Sequence, residues 1–336
     1  MNKAKGMTII KKTGLTIAFP LAMFIVMMII TAAAGKANLY ASSTMVMQVM
    51  RDASLTTIIA MAIYLQFKNG RFDFSGGATM ILTGLIAALI ARDAGNSAWL
   101  MLVLCIVIGV VFSVFTASAY VASRVPIIIC TIAVTLFYES LTYVINNGAG
   151  ISIISTTSLA IFGTVPYIFI PLLIAVALFI FYSYFTTEGR RSKLLAGNQK
   201  IASNIGINET KSIYVTYIVT GVLLGLGALI YTSQNTIAAQ SNLSTSSILF
   251  SYIVPVFIGM FLGSASIDAI GIVVAAVGME FMNYGLDCLG VGSGGWQQII
   301  FGMFMLGFYA FSAKSAELKA FFERLILKTK KEKSNA

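Results

Sequence analysis

Histidine is absent from the 336-residue chain. That removes Ser-His-Asp catalysis, histidine-bearing zinc sites and HExxH proteases together. Charge is nearly as scarce. Charged residues make up 10% of the chain, against about 25% in a soluble domain, while 58% are hydrophobic and the mean hydropathy is +0.90. So much apolar surface cannot be hidden in one soluble core. The three cysteines, Cys105, Cys130 and Cys288, are isolated in apolar stretches without CxxC spacing, so they are read as small core residues rather than a disulfide or redox framework. No GxxxxGK[ST] occurs, and the chain therefore has no Walker motif with which to power work by ATP hydrolysis.

What is present is a series of apolar runs near 13–34, 44–67, 74–91, 97–121, 125–147, 166–187, 212–233, 246–262, 269–288 and 296–313. Each approaches the roughly 20 residues that a helix needs to cross a bilayer. The expectation is an all-α polytopic membrane protein of about ten transmembrane helices. The second run, with Arg51 and Asp52, and the eighth, short and holding Pro255, are the ones in which a broken or re-entrant helix is expected. Ala32-Ala33-Ala34 has the look of a signal-peptide cleavage site. The apolar run before it is longer than the usual signal core, so the first span is expected to be retained.

There are 22 basic and 12 acidic residues. Placing the N-terminus in the cytoplasm puts all the basic residues inside except Lys36, Arg51 and Arg92, so the positive-inside rule gives an N-in, C-in orientation. The net charge of +10 is then mainly a topology signal, and nucleic acid is not an expected partner. Trp99 and Trp296 fall at outer helix ends, where an amphipathic indole is favoured. The domain reading is a cytoplasmic segment 1–12, a transmembrane domain 13–313 and a basic cytoplasmic tail 314–336.

The longest inner loop, 188–211 (EGRRSKLLAGNQKIASNIGINETK), has its own helical pattern, with Leu194, Leu195, Ile201 and Ile205 apolar among charges, a break near Gly197 and a close near Gly206. Such a helix either rests on the membrane surface or docks a soluble partner. Its GNQKIASNIGIN segment resembles the loop of ribose-type, simple-sugar ABC transporter permeases. Gly197, Asn198, Ala202, Gly206, Ile207 and Asn208 occupy the matching positions, preceded by Gly189 and Arg190. YIVTGVLLGLGALI, from Tyr217, resembles the small-residue helix that follows. FKNGRFDFSGGATM resembles that family's Gly-Gly-Ile-Asp-Leu-Ser hairpin, with Asp73 and Ser75 matching and Arg71 in place of a glycine. FMNYGLDCLGVGSGGWQQIIFG matches its signature at Asn283, Gly285, Leu286, Leu289, Gly290, Val291, Trp296 and Gln297. The eighth and ninth segments, SYIVPVFIGMFLGSASID, depart from the pattern.

The resemblance implies the permease subunit of an ATP-binding-cassette importer for a simple sugar, in a bacterial inner or plasma membrane. Its implied partners are a second permease subunit, alike or different, cytoplasmic ATPases docked on the 188–211 loop, and an extracytoplasmic sugar-binding protein. ATP would be used by the partner; no cofactor, metal or catalytic group is expected in this chain. The residues so marked for coupling are Gly189, Arg190, Gly197, Asn198, Ala202, Gly206 and Ile207. A permease for nucleosides or amino acids is the neighbouring reading, and an ion-coupled secondary carrier or a membrane scaffold the distant one.

Candidate residues for the path or its gating are Gln48, Asp73, Ser75, Glu139 and Asn283. Asp73 or Ser75 is suited to cap the third helix. Glu139, Glu280, Asp287 and Asp52 are rare intramembrane acids. They would be proton sites in a carrier, or else are satisfied locally, Asp52 by Arg51 and the two glutamates by Ser, Tyr or Asn neighbours. Asn146, Asn147, Gln234, Asn235, Tyr138 and Tyr284 add neutral hydrogen-bonding groups suited to a hydroxylated solute. The spacings Gly221-xxx-Gly225 and Gly259-xxx-Gly263 permit close helix contact, within the subunit or between subunits.

Overall fold

The computed structural model describes residues 2–197, 207–263, 266–292 and 294–307. The described residues are mainly helical, and among them the one extended pairing is an isolated antiparallel bridge between Ile151 and Ile237. In chain order the principal helices are α1 (Asn2–Ala33), α2 (Met45–Lys68), α3 (Ser75–Asp93), α4 (Ala98–Ser123), α5 (Ile127–Val144), α6 (Phe169–Phe185), α7 (Thr187–Gly197), α8 (Glu209–Gln234), α9 (Ser244–Gly263) and α10 (Asp268–Leu289), with a single short turn, Ala37–Tyr40, between α1 and α2. All but α6 and α7 are long and apolar enough to cross a membrane, which makes eight such helices among the described residues. This is the all-α, multi-pass architecture expected from the sequence. The sixth apolar run gives the shorter α6. The tenth is helical over 295–307, its remainder lying outside the described residues.

Two compact units divide the chain at Gly285 and Leu286. In the first, α8 lies at the centre with α2, α3 and α4 packed around it. Glycine makes the tightest of these contacts possible. A Cβ on Gly221 would stand 2.8 Å from the Gly109 carbonyl oxygen, and one on Gly225 would collide with the Cys105 carbonyl. The 221/225 spacing therefore serves packing inside the subunit, α8 against α4, as small-residue faces do where lipid supplies no hydrophobic drive for helix association. Gly259 does the same for α9 against Ile272 of α10. Cys105 and Cys130 are buried free thiols, and Cys288 is half-buried. In the second unit, Gly290 at φ 82° turns the chain after α10.

Two expectations about helix continuity are corrected. The Arg51/Asp52 run and the Pro255 run are both unbroken, as α2 and α9. The two charges of α2 satisfy each other, with Arg51 Nε donating to Asp52 Oδ1 at 3.2 Å near the start of the helix. The irregular backbone lies instead in α6, whose last turn, Phe181–Phe185, is wound as a π-helix. Such turns are frequent at functional sites.

Helix ends are closed by side chains the sequence places there. Asn208 Oδ1 accepts from Lys211 N at 3.0 Å, capping α8, and Glu209 follows where the helix dipole favours an acid. At the end of α2, Gly70 takes φ 71° while Gly70 N donates to Phe67 O at 2.9 Å and Arg71 N to Gln66 O at 2.9 Å. This is a Schellman closure, whose residue after the glycine is folded back onto the helix. That position commonly holds an apolar side chain. Here it holds Arg71.

Candidate functional site

One end of the bundle gathers the hairpin 69–74, the π-turn of α6, helix α7 and the first turns of α8 and α10. Asp73 Oδ1 accepts both Ser75 N and Ser75 Oγ at 2.7 Å, so the carboxylate caps α3 from two residues upstream and Ser75 is the capped residue. Burial pushes the Asp73 carboxyl up, and the two bonds from Ser75 oppose that shift. The Tyr217 hydroxyl lies beside Asp73 without a bond of good geometry. Next to them a cavity of about 20 Å³, bordered by Gln66, Asp73 and Thr220 among apolar side chains, has room for one water.

The π-turn is the hub of this end. Tyr182 shares a 2.9 Å hydrogen bond with Thr216 of α8, and Tyr184 accepts from Asp268 N at 3.0 Å at the start of α10. Asp268 also pairs with Lys68 at 3.3 Å, whose ammonium lies 5.5 Å from the Tyr64 ring and 5.8 Å from the Tyr184 ring. Three helices thus meet the last turn of α6, from which α7 leaves directly.

Of the residues marked for coupling, Gly189 donates its N–H to Thr186 Oγ1 at 3.1 Å and packs so closely on the Tyr182 carbonyl that no Cβ fits. Arg190 is exposed and reaches the Tyr184 carbonyl at 3.4 Å. Gly197 is the last residue of α7, and Ile207 is buried. Asn198, Ala202 and Gly206 lie outside the described residues.

The path candidates do not converge on one site. Glu139, buried on α5, accepts from Leu243 N at 2.8 Å and from Thr245 N and Thr245 Oγ1 at 2.9 and 2.7 Å. It caps α9 across the bundle, placing a carboxylate on the free N–H groups and positive dipole end of that helix. The sequence reading expected Ser, Tyr or Asn neighbours here; a threonine hydroxyl and two backbone N–H groups hold the carboxylate instead. Glu280 is held by Thr56 Oγ1 and by Asn283 Nδ2, the latter at 2.9 Å. Asn283 is thereby engaged with its own helix. Gln48 is exposed at the far end of α2 and borders an open cavity of 350 Å³ with Thr44, Arg51 and Thr164.

Several other candidate lining groups make local ties instead. Asn146 Nδ2 donates to Gly150 O at 2.8 Å, Asn235 Nδ2 to Tyr231 O at 3.1 Å, and Gln234 Nε2 to Gly163 O at 3.4 Å. Tyr138 is fully buried and donates to Phe112 O at 2.6 Å. These groups tie loops and helix ends together by bonding backbone carbonyls.

A multi-pass bundle with a short helix, α7, following α6 and its polar groups tied largely to helix ends and loops is an architecture that suits a membrane transport subunit. Residues 45–309 match the family model described as branched-chain amino acid transport system / permease component, and the chain belongs to that family. It is similar to the ribose import permease protein RbsC of Escherichia coli (strain K12), 26% identical over 256 residues, 73% of this chain and 78% of that one. The inner membrane ABC transporter permease protein YjfF of the same organism is 23% identical over 282 residues, 81% and 84% of the two chains. The fructose import permease protein FruG of Bifidobacterium longum (strain NCC 2705) is 23% identical over 198 residues, 54% and 58%. No solved structure matches the chain significantly. The protein is accordingly a multi-pass permease subunit of the cell membrane.

Proposed function

We propose that this permease carries a simple sugar inward as the membrane subunit of an ATP-driven importer. The observation that carries the reading is the run of relatives named for ribose and fructose import, over most of the chain in the ribose case. In this reading a cytoplasmic ATPase docks on α7 and the 188–211 loop, and supplies the energy for which this chain has no Walker motif. An extracytoplasmic binding protein delivers the solute, and a second permease subunit completes the pathway. Both termini and the 188–211 loop face the cytoplasm, in keeping with the distribution of basic residues. The chemistry of the Gln48 mouth, amide and hydroxyls with a paired arginine, suits hydroxyl groups.

The family description favours a second solute class, an amino acid. An ion-coupled carrier gains no support, because Glu139 and Glu280, the acids it would use, are bonded to helix ends and neighbouring side chains. The test is deletion of 198–205 in the chain co-expressed with its ATPase. ATPase association and uptake are both expected to be lost while the permease still inserts. Retention of both would remove the docking role from this loop. Thermal shifts of the cognate binding protein with pentoses, hexoses and branched amino acids separate the two solute classes.

A further inference from the structure

The chain between α8 and α9 does not stay at the end of the bundle. Ile237 pairs with Ile151, and a Cβ on Gly84 would stand 3.0 Å from the Ile237 Cδ1. Gly84 lies about 14 Å along α3 from its outer end at Asp93, at 1.5 Å per residue. Further on, the Thr245 carbonyl presses on Gly77 so closely that no Cβ fits there, about 24 Å from the same end. The bonds to α5 agree. Gln240 N donates to Thr142 Oγ1 at 2.8 Å, and Leu243 N and Thr245 N donate to Glu139, about 8 Å of helix short of Val144. Residues 235–243 therefore run inward among the spans in non-helical form, with Asn242 and Leu243 at φ 55° and 61°, and α9 starts inside the bundle.

At such a depth non-helical backbone does not face lipid; it is buried in protein or borders water. Its own subunit leaves this stretch uncovered, since Ala238, Ser241 and Asn242 are exposed. The exposure continues onto α9 at Ser247 and Ser251, one turn apart. Both hydroxyls donate to carbonyls of their own helix, at 2.6 and 3.2 Å, and keep their lone pairs to accept from another hydroxyl. Beside them Tyr143, exposed near the end of α5, donates to Ser241 Oγ at 3.4 Å. The outward stripe of α4 is the contrast. Val103, Val107, Val111 and Phe115, at four-residue spacing, are all exposed and all apolar, which is a lipid face. The α9 face carries hydroxyls and an amide instead, and the Glu139 carboxylate is turned to the cap of the helix.

We infer that this face, from Ser241 and Asn242 to Ser251 with Tyr143 beside it, is a water-lined wall of the solute path. Its hydroxyl and amide groups exchange hydrogen bonds with a neutral, polyhydroxylated solute, and the lack of a fixed charge lets that solute leave as readily as it enters. This rests on the reading of the chain as a sugar permease with its N-terminus in the cytoplasm.

The test uses the whole transporter in proteoliposomes, with ATPase and binding protein present and the native cysteines replaced by alanine. Ser241→Cys, Ser247→Cys and Ser251→Cys, each close to serine in size, are compared with Val107→Cys on the lipid stripe. A charged methanethiosulfonate, supplied on both sides, is expected to modify the three wall positions in at least one of two conditions, nucleotide-free or ATP with vanadate. Val107→Cys is expected to stay unmodified, as read by the mass of the chain. Modification at the wall is expected to abolish uptake of labelled ribose, and a reducing agent to restore it. Wall positions as unreactive as Val107→Cys in both conditions would overturn the inference. So would modification that leaves uptake and the ATPase activity stimulated by the binding protein intact. A transporter that carries no ribose before modification would count against the sugar reading instead, with labelling and ATPase activity still deciding the wall.

Discussion

Replacing Glu139 by glutamine alters one atom and tests what a charge inside the bundle is for. In the structure Oε1 accepts two bonds from Thr245 and Oε2 one from Leu243 N. The amide keeps its oxygen for Thr245 but turns an N–H toward the Leu243 N–H, so a donor faces a donor. One charge-assisted bond, about 1.5–3 kcal/mol, is lost and the two others fall to the neutral range of about 1 kcal/mol. Relief of the buried charge offsets part of this, leaving a cost of about 2–4 kcal/mol. Glu139→Ala, which leaves all three donors unmet beside a cavity, should cost about 4–6 kcal/mol. At about 2 °C per kcal/mol for a chain of this size, the glutamine variant should unfold about 4–8 °C lower in detergent, followed by intrinsic fluorescence. Whatever protein remains folded should transport at the same pH optimum. A glutamine variant of unchanged stability with uptake abolished would refute the capping argument and return Glu139 to the role of proton site.

Gly225→Leu should be as damaging as any single change in the spans. Its side chain must enter the Cys105 backbone, so loss of the folded, monodisperse protein in detergent chromatography is expected, whereas Gly307→Leu, with open space around the glycine, should elute normally. Single cysteines at Asn96 and Ser203, in a cysteine-free background, should be modified by an impermeant maleimide from opposite sides of the membrane, Asn96 from outside. Modification of both from outside contradicts the orientation. Asp73→Asn should lower the thermal midpoint by only about 2–4 °C, since the amide oxygen still accepts from Ser75 N and only the charge contribution, about 1–2 kcal/mol, is removed. A larger fall would mean that the carboxylate does more than cap α3.

Much of this architecture was legible because lipid imposes a simple rule on sequence. Every apolar run of spanning length holds a helix over its described residues, and Asp73 caps α3, the helix that it or Ser75 was suited to cap. What sequence concealed was which polar groups meet across the bundle. Glu139 and Thr245 are 106 positions apart, and no local period links them. For the same reason Asn146, Gln234 and Asn235 looked like path-lining groups when they are tied to nearby carbonyls. Pro255 and the Arg51-Asp52 pair suggested breaks at points where the helices run on, while the π-turn of α6 follows from no residue a propensity scale would single out. Arg71 was visible as an arginine where the resembling hairpin has glycine. Its burial depends on the Schellman turn and on α8 closing over it, which only the assembled fold reveals.

The central claim, that this permease is driven by ATP hydrolysed on a partner, is tested most directly in sealed vesicles containing the chain, its ATPase and its binding protein. Uptake of labelled sugar should require ATP on the ATPase side and the binding protein on the other. It should persist when an ionophore collapses the proton and sodium gradients at constant ATP. Uptake that stops with the ionophore and continues without ATP would contradict the account.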